Sequence, residues 1–188
     1  MNTVNQSLQV AFFRLKKLKG KNIILNAAKH NKRTIAAELV KSEKINSNLS
    51  NLNESLLDDK SPEAIANKAL SLMDEVQTKL LRKDAVRGIE CIFSIPKFHS
   101  INERQFFLNC ADWAQSEIGG VLLSIDIHRD ESCPHAHILL LPLKDGKMNG
   151  SRLVGGRNRL IALQDSFHKN VANQFGFSSP PKRLYGLA

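Results

Sequence analysis

The chain has one tyrosine, one tryptophan and three cysteines in 188 residues, and its 18 acids fall short of its 27 lysines and arginines. Each shortage excludes something. Cys91, Cys110 and Cys133 are odd in number and widely spaced, so they do not suggest the disulfide framework of a small secreted domain; a bacterial cytoplasm is the simpler setting. No apolar run reaches the ~18–20 residues that a membrane span needs, and no membrane contact is evident. The N-terminus lacks the basic, then apolar, then small-residue order of a secretory signal. The shortage of acid leaves a formal net charge of +9, which favours a polyanionic partner. No strongly amphipathic basic helix stands out, so nucleic acid is preferred to an anionic membrane. The single Tyr185 sits in a tail after Pro180-Pro181, where nothing obvious holds it in a site.

What remains is an ordinary globular composition, 42% hydrophobic and 24% charged, long enough for one domain over 1–188 with a real core. Residues 8–14 read as a strand, followed by a basic segment holding Arg14, Lys16, Lys17, Lys19 and Lys21. Residues 22–33 read as a helix with Ile23, Ile24, Ala27 and Ala28 toward a core. Residues 41–60, rich in Asn, Ser and Lys, read as a loop. Ser61-Pro62-Glu63 is a helix start, and Ile65, Ala69, Leu72, Val76 and Leu80 continue it at a period near 3.6. A strand over 88–95 ends at Pro96. Asn102 caps a helix with Phe106, Cys110, Trp113 and Ala114 inward. Residues 121–128 and 135–142 are strands joined by six residues, short enough for an antiparallel pair. Lys144-Asp145-Gly146 is a turn. Gly155-Gly156 precedes a helix that points Leu160, Leu163, Phe167 and Val171 inward and stops at Gly176. This order fits an α+β fold: an antiparallel sheet with helices packed mainly on one face.

The informative stretch is His128-Arg129-Asp130-Glu131-Ser132-Cys133-Pro134-His135-Ala136-His137. Side chains alternate along a strand, so His135 and His137 share one face. On the preceding strand His128 shares a face with Asp126, Ser124 and Leu122. Antiparallel pairing would bring the three imidazoles together, and three neutral imidazoles with open positions suit a catalytic divalent metal. Asp126 could orient His128, or could be a solvated strand residue. Cys133 reads as a connection residue, and His99 and His168 as ordinary histidines. Among aromatics, Phe98 and Phe177 are candidates for base stacking, whereas Phe12, Phe13, Phe106 and Phe107 read as core.

The His-hydrophobic-His pair resembles the signature of HUH single-strand endonucleases, and His-x-Asp-Glu-x-x-Pro-His-x-His resembles the Mob/Pre plasmid mobilisation relaxases of the MobV class. His30-Asn31-Lys32-Arg33 is similar to that family's N-terminal His-Asn-x-Arg motif, and Leu52-Asn53 to a later pair. Asp145-Gly146 and Leu163-Gln164-Asp165-Ser166-Phe167 are similar to the region after the metal motif. Glu54 stands where relatives often carry an aromatic. The resemblance implies a ferredoxin-like-derived relaxase fold. It also implies an enzyme that nicks and rejoins single-stranded or hairpin DNA of a plasmid transfer origin through a covalent protein–5′-phosphate intermediate. His128, His135 and His137 would hold Mn²⁺ or Mg²⁺, Glu131 would be a further ligand or a base, His30 the nucleophile, and Arg33 a stabiliser of developing charge. Taken on residues alone, His30 reads rather as a helix-surface histidine in a basic DNA-binding segment. Relatives usually continue into a longer C-terminal region, through which a coupling protein or a homodimer would be engaged.

The residues expected at the DNA are Lys17, Lys19 and Lys21 before the first helix, Asn31, Lys32 and Asn53 in the motifs, and Arg152 and Arg157 after the metal hairpin. Lys182-Arg183 reads as solvated tail. The alternatives are a rolling-circle replication initiator, a catalytically inactive DNA-binding module and an unrelated metallohydrolase. The absence of a tyrosine on a helix after the metal motif counts against the first of these.

Overall fold

Alternation of Phe13 and Leu15 with Arg14 and Lys16 makes the first strand, and the basic segment continues it rather than following it. The strand β1 is Phe12–Lys19, not residues 8–14, and it lies at one edge of the sheet. The computed structural model describes residues 9–42, 44–57, 61–76 and 81–180; Leu80, Lys182-Arg183 and Tyr185 lie outside them. The chain then runs through α1 (Ile23–Asn31), α2 (Ala36–Lys41), a 3₁₀ turn (Ser47–Leu52), β2 (Glu54–Ser55), α3 (Pro62–Glu75), β3 (Val86–Ser94) and α4 (Glu103–Glu117). It continues with β4 (Val121–His128), β5 (His135–Leu141), β6 (Leu143–Lys144), β7 (Lys147–Met148), α5 (Gly150–Val154), α6 (Arg157–Asn170) and a second 3₁₀ turn, Ala172–Phe175. The stretch 41–60 is thus not plain loop: it carries the 3₁₀ turn and the edge strand β2.

Local chemistry explains the boundaries. The Ser61 side chain accepts from the Ala64 N–H at 3.1 Å with Pro62 in the first turn, and Asn102 accepts from Gln105 N at 3.1 Å. Each satisfies a backbone donor that the helix start leaves open. Asp145 (φ 51°) and Gly146 (φ 67°) both take left-handed backbone, as a two-residue hairpin between β6 and β7 requires. At Gly120 a Cβ would stand 2.5 Å from the Leu141 carbonyl oxygen, so only glycine lets β4 begin against the end of β5.

The five strands are ordered β1-β3-β5-β4-β2, and every neighbouring pair is antiparallel. The expected α+β class holds. Side chains from Phe13, Ile89, Cys91, Phe93, Ile125, Ile127, Ala136, Ile138 and Leu140 form the larger core with Phe106, Phe107, Trp113, Leu163 and Phe167 of α4 and α6. A smaller layer covers part of the other face, where Leu18, Leu123, Leu139 and Leu141 lie under Ile24, Ala28, Ile65 and Ala69 of α1 and α3. That second cover reaches only one end of the sheet. At the other end the same face turns polar and carries Glu90, Asp126, His128, His135 and His137. Phe12 is 43% exposed and not core, whereas Phe177 is buried against Phe106 and cannot stack on a base. Leu160 faces outward. Among the described residues no helix is long and apolar enough to cross a membrane.

Candidate metal centre

Register builds the site. His128 lies directly opposite His135 and Asp126 opposite His137 across the β4–β5 pair. Ser94 and Ile92 of β3 lie opposite His135 and His137. The three imidazole centroids form a near-equilateral triangle with sides of 5.1, 4.7 and 5.1 Å. One ring nitrogen from each lies within 4.8 Å of the others. The convergence expected from strand alternation is present.

The second nitrogen of each ring decides which atom is free. His128 Nε2 lies 2.7 Å from the carbonyl oxygen of Asn31; a carbonyl only accepts, so Nε2 carries the proton and Nδ1 holds the lone pair. That Nδ1 is buried and has no hydrogen-bond partner. His135 Nδ1 donates to the Cys133 carbonyl oxygen at 3.0 Å, and His137 Nδ1 donates to Glu90 Oε1 at 3.1 Å. In both, Nε2 is left to the site. Three convergent lone pairs, one of them an orphaned buried atom, fit a divalent metal that prefers imidazole. Burial is the chief cause that pushes His128 down to about 2, with the neighbouring His137 adding to it. Burial likewise lowers His135. Both rings are therefore neutral, as metal ligation requires.

Around the triangle stands an acidic and basic frame. Glu90 is 4% exposed and is the one acid of a mainly apolar strand. Burial works against its charge, but the hydrogen bond from His137 and the charge of Lys16 outweigh it and hold the carboxyl below its usual value. The Asn31 amide, turned to donate, reaches Glu90 Oε1 at 3.2 Å. Asp130, fully buried, accepts from Arg33 Nε and Nη2 at 3.1 and 2.8 Å, from Ser50 Oγ at 2.9 Å and from Asn53 Nδ2 at 2.8 Å. Burial alone would raise its carboxyl; those four bonds hold it near about 2. Arg33 Nη2 also donates to Glu131 Oε1 at 2.6 Å. Glu131 Oε1 in turn stands 3.9 Å from His135 Nε2, and His128, Asp130 and Glu131 form a second group of converging ligand atoms.

His30 completes the site from above. It sits in the last turn of α1, its ring 5.4 Å from that of His137 and 6.4 Å from that of His128. Its Nδ1 lies 2.8 Å from Glu38 Oε2 of α2. His30, His135, His137, Glu131, Glu38 and Arg14 all line one cleft of about 600 Å³.

Other expected site residues are placed differently. His30 and Arg33 do not share a helix face, because α1 ends at Asn31 and Arg33 takes a left-handed φ of 54°; the guanidinium is occupied by two acids. Asp126 does not touch His128 but accepts from Ser55 Oγ at 2.7 Å and pairs with Lys32 Nζ at 2.9 Å. The Lys32 side chain is consequently held inside the protein; Asn31 is buried, and Asn53 is half-buried, its Oδ1 accepting from Arg129 N at 2.8 Å. Lys17 faces the α5–α6 side and donates to the Gly155 carbonyl at 3.3 Å. Lys19, the last residue of β1, and Lys21 just beyond it are both exposed. Gly150, at the start of α5, packs on Val86, so Arg152 and Arg157 lie toward the end of β3 that is six residues, ~20 Å, from Ile92 and the histidines. They also follow the opposite face, where Leu153 and Val154 join the larger core. Cys133 contributes its carbonyl. His99 pairs with Glu103 and His168 bonds the Phe177 carbonyl, and neither belongs to a converging group of ligand atoms. Sequence reasoning missed Glu90 and Glu38. Glu90 had a signal, a lone acid in an apolar strand; Glu38 had none.

The plasmid recombination enzyme (Mob_Pre) family model matches residues 8–178. Plasmid recombination enzyme type 3 of Staphylococcus aureus is 28% identical over 134 residues, covering 68% of this chain and 30% of that protein. The plasmid recombination enzyme of Streptococcus agalactiae is 28% identical over 168 residues, covering 85% of this chain and 33% of that protein. The chain thus spans about a third of the length of these relatives. Among solved structures, the Mn-bound MobM relaxase domain (MOBV; Mob_Pre) in complex with plasmid pMV158 oriT DNA superposes with a TM-score of 0.77. It is 25% identical, and the match covers 95% of this chain and 93% of that one. With the family model matching nearly the whole chain and the fold superposing on that of a solved Mob_Pre domain, this chain belongs to the plasmid recombination enzyme (Mob/Pre) family.

Proposed function

We propose that residues 1–188 form one nicking domain that cuts a single DNA strand at a plasmid transfer origin, stays linked to the 5′ phosphate and later rejoins the ends. The carrying observation is the triangle of converging imidazole nitrogens, with a fourth histidine, His30, beside it and sharing a cleft with His135 and His137. The related MobM relaxase domain, bound to oriT DNA with manganese, supports the same reading. His128 Nδ1, His135 Nε2 and His137 Nε2 would hold Mn²⁺ or Mg²⁺, which supplies Lewis-acid polarisation of the scissile phosphate when bound.

This chain's own residues do the rest. His30 Nε2 offers its lone pair to phosphorus; the bond to the 3′ oxygen breaks and that oxygen takes a proton from solvent. Glu131 is held at the metal triangle by Arg33, so Arg33 acts by fixing Asp130 and Glu131. Arg14 and Lys44 line the cleft and are placed to meet the flanking phosphates.

The test is a labelled single-stranded oligonucleotide carrying the transfer origin, incubated with Mn²⁺ or with EDTA. Metal-dependent cleavage with protein linked to one product is expected. The adduct is expected to be acid-labile, as a phosphoramidate is, and to vanish with His30→Ala while Mn²⁺ binding persists. Cleavage without linkage would point to a metallohydrolase, and binding without cleavage to an inactive DNA-binding module. An acid-stable adduct lost with Tyr185→Phe would overturn the histidine assignment.

A further inference from the structure

The backbone goes to some length to bring an acid to His30. After α1 ends, Arg33 takes its left-handed conformation while anchored to Asp130 and Glu131. The reversal starts α2, whose Glu38 returns over the end of α1 and places Oε2 2.8 Å from His30 Nδ1. Both side chains line the same cleft as His135 and His137. We infer that Glu38 is a positioning residue for the strand transfer: it fixes the proton of His30 on Nδ1 and so presents Nε2, unprotonated, to the phosphate. The inference rests on the proposed role of His30 as nucleophile.

The chemistry follows from the donor inventory. A carboxylate only accepts, so the His30 nitrogen facing it must be the one that bears hydrogen. A neutral histidine in water favours hydrogen on Nε2, the form in which the outward nitrogen has no lone pair to give. Glu38 reverses that preference. When the Nε2 lone pair forms the bond to phosphorus and the electron pair of the P–O3′ bond leaves with the 3′ oxygen, the ring becomes cationic with its hydrogen still on Nδ1. Glu38 faces that charge. Release of the Nδ1 proton, to the carboxylate or to solvent, leaves a neutral phosphoramidate; its return restores a cationic ring that leaves readily when the 3′ hydroxyl attacks phosphorus to rejoin the strand. One carboxylate thus serves both directions. The bland reading is a partly exposed ion pair that docks α2, a type usually worth little.

Three measurements separate these readings. Proton-detected ¹⁵N spectra of the His30 ring, assigned by their loss in His30→Ala, should show the Nδ1–H tautomer in the wild type and a shift to Nε2–H in Glu38→Ala. Single-turnover nicking of a saturating origin oligonucleotide should fall about 10–100-fold in Glu38→Ala, less than the ~10⁴-fold loss known for a buried triad carboxylate because this pair is partly exposed. Glu38→Gln, which keeps an acceptor oxygen but no charge, should retain the tautomer and fall between. Oligonucleotide affinity should stay within about threefold throughout. Wild-type nicking by Glu38→Ala, or an unmoved tautomer in it, would overturn the inference, as would equal losses in both variants that track a lowered melting temperature. A covalent adduct persisting in His30→Ala would instead overturn the nucleophile assignment, whatever Glu38 does.

Discussion

Glu90 offers a direct test of how the histidine triangle is held. It is buried, comes from β3 rather than from the histidine motif, and accepts from His137 Nδ1 at 3.1 Å. Replacing it with alanine removes the group that keeps His137 Nε2 unprotonated and aimed. Loss of such a partner ordinarily weakens metal affinity by about 10–100-fold. The consequence for stability can be worked out. With Mn²⁺ at 100 times its dissociation constant the wild type gains about 2.7 kcal/mol, whereas a variant binding 10–100-fold more weakly gains only about 1.4 to 0.4 kcal/mol. At roughly 2–4 °C per kcal/mol for a chain of this size, Mn²⁺ should raise the wild-type Tm by about 5–11 °C and that of Glu90→Ala by about 1–6 °C. Calorimetric titration of metal-free protein measures the affinity itself, and melts in EDTA separate it from any loss of packing. Mn²⁺ affinity within about twofold of wild type in a folded Glu90→Ala would refute the argument.

Other perturbations follow from the same geometry. Asp130→Ala leaves the Arg33 guanidinium buried beside a single acid, and breaking such a pair should cost about 3–5 kcal/mol in urea unfolding; a loss below about 1 kcal/mol would show that Arg33 is held by other means. His128 is depressed to about 2 from 6.5, chiefly by burial, so between those values the unfolded chain binds the extra proton. Metal-free protein should therefore lose stability as pH falls below about 6.5 and show no contribution from this group above it; equal urea midpoints at pH 7.5 and 5 would contradict this. Arg14→Glu should weaken oligonucleotide binding and lower its salt slope by about one, while Arg157→Glu, on the far side of the sheet, should change affinity less than about twofold. The reverse order would place the DNA path at the other end of the fold.

The parts of this fold legible in the sequence are those set by short-range rules. Ser61-Pro62, Asn102 and Asp145-Gly146 announce their helix starts and turn because capping and left-handed backbone are decided within a few residues. Strand alternation sufficed to place His128, His135 and His137 on one face. The misreadings share a cause. In sequence Lys16, Lys17 and Lys19 look like a loop after a strand over 8–14, yet an edge strand tolerates lysine on both faces, and β1 runs through them. β2 was invisible because two residues carry no period. Phe12 and Phe177 exchanged roles because burial depends on what packs against a residue: Phe177 is buried against Phe106 of α4, whereas Phe12, on the edge strand, is half exposed. Arg152 and Arg157 adjoin the motif in sequence but follow a helix that packs against Val86.

The motif supplies the nitrogen donors but does not say which nitrogen of each ring is free. That is set by the partner of the other nitrogen, and three of the four partners are tertiary. His128 is matched to the Asn31 carbonyl 97 residues away, His137 to Glu90 47 residues away and His30 to Glu38 eight residues on, whereas only His135 is served locally, by Cys133 two residues back. The α1 C-terminus contributes to two of these at once, since Asn31 orients His128 through its carbonyl and reaches Glu90 through its amide. A shift of α1 along the sheet would therefore disturb His30 directly and His128 and His137 through Asn31. The small residues Ala27 and Ala28 let α1 lie close enough for those bonds to form, so enlarging the fully buried Ala28 should loosen the histidine triangle and displace His30 together.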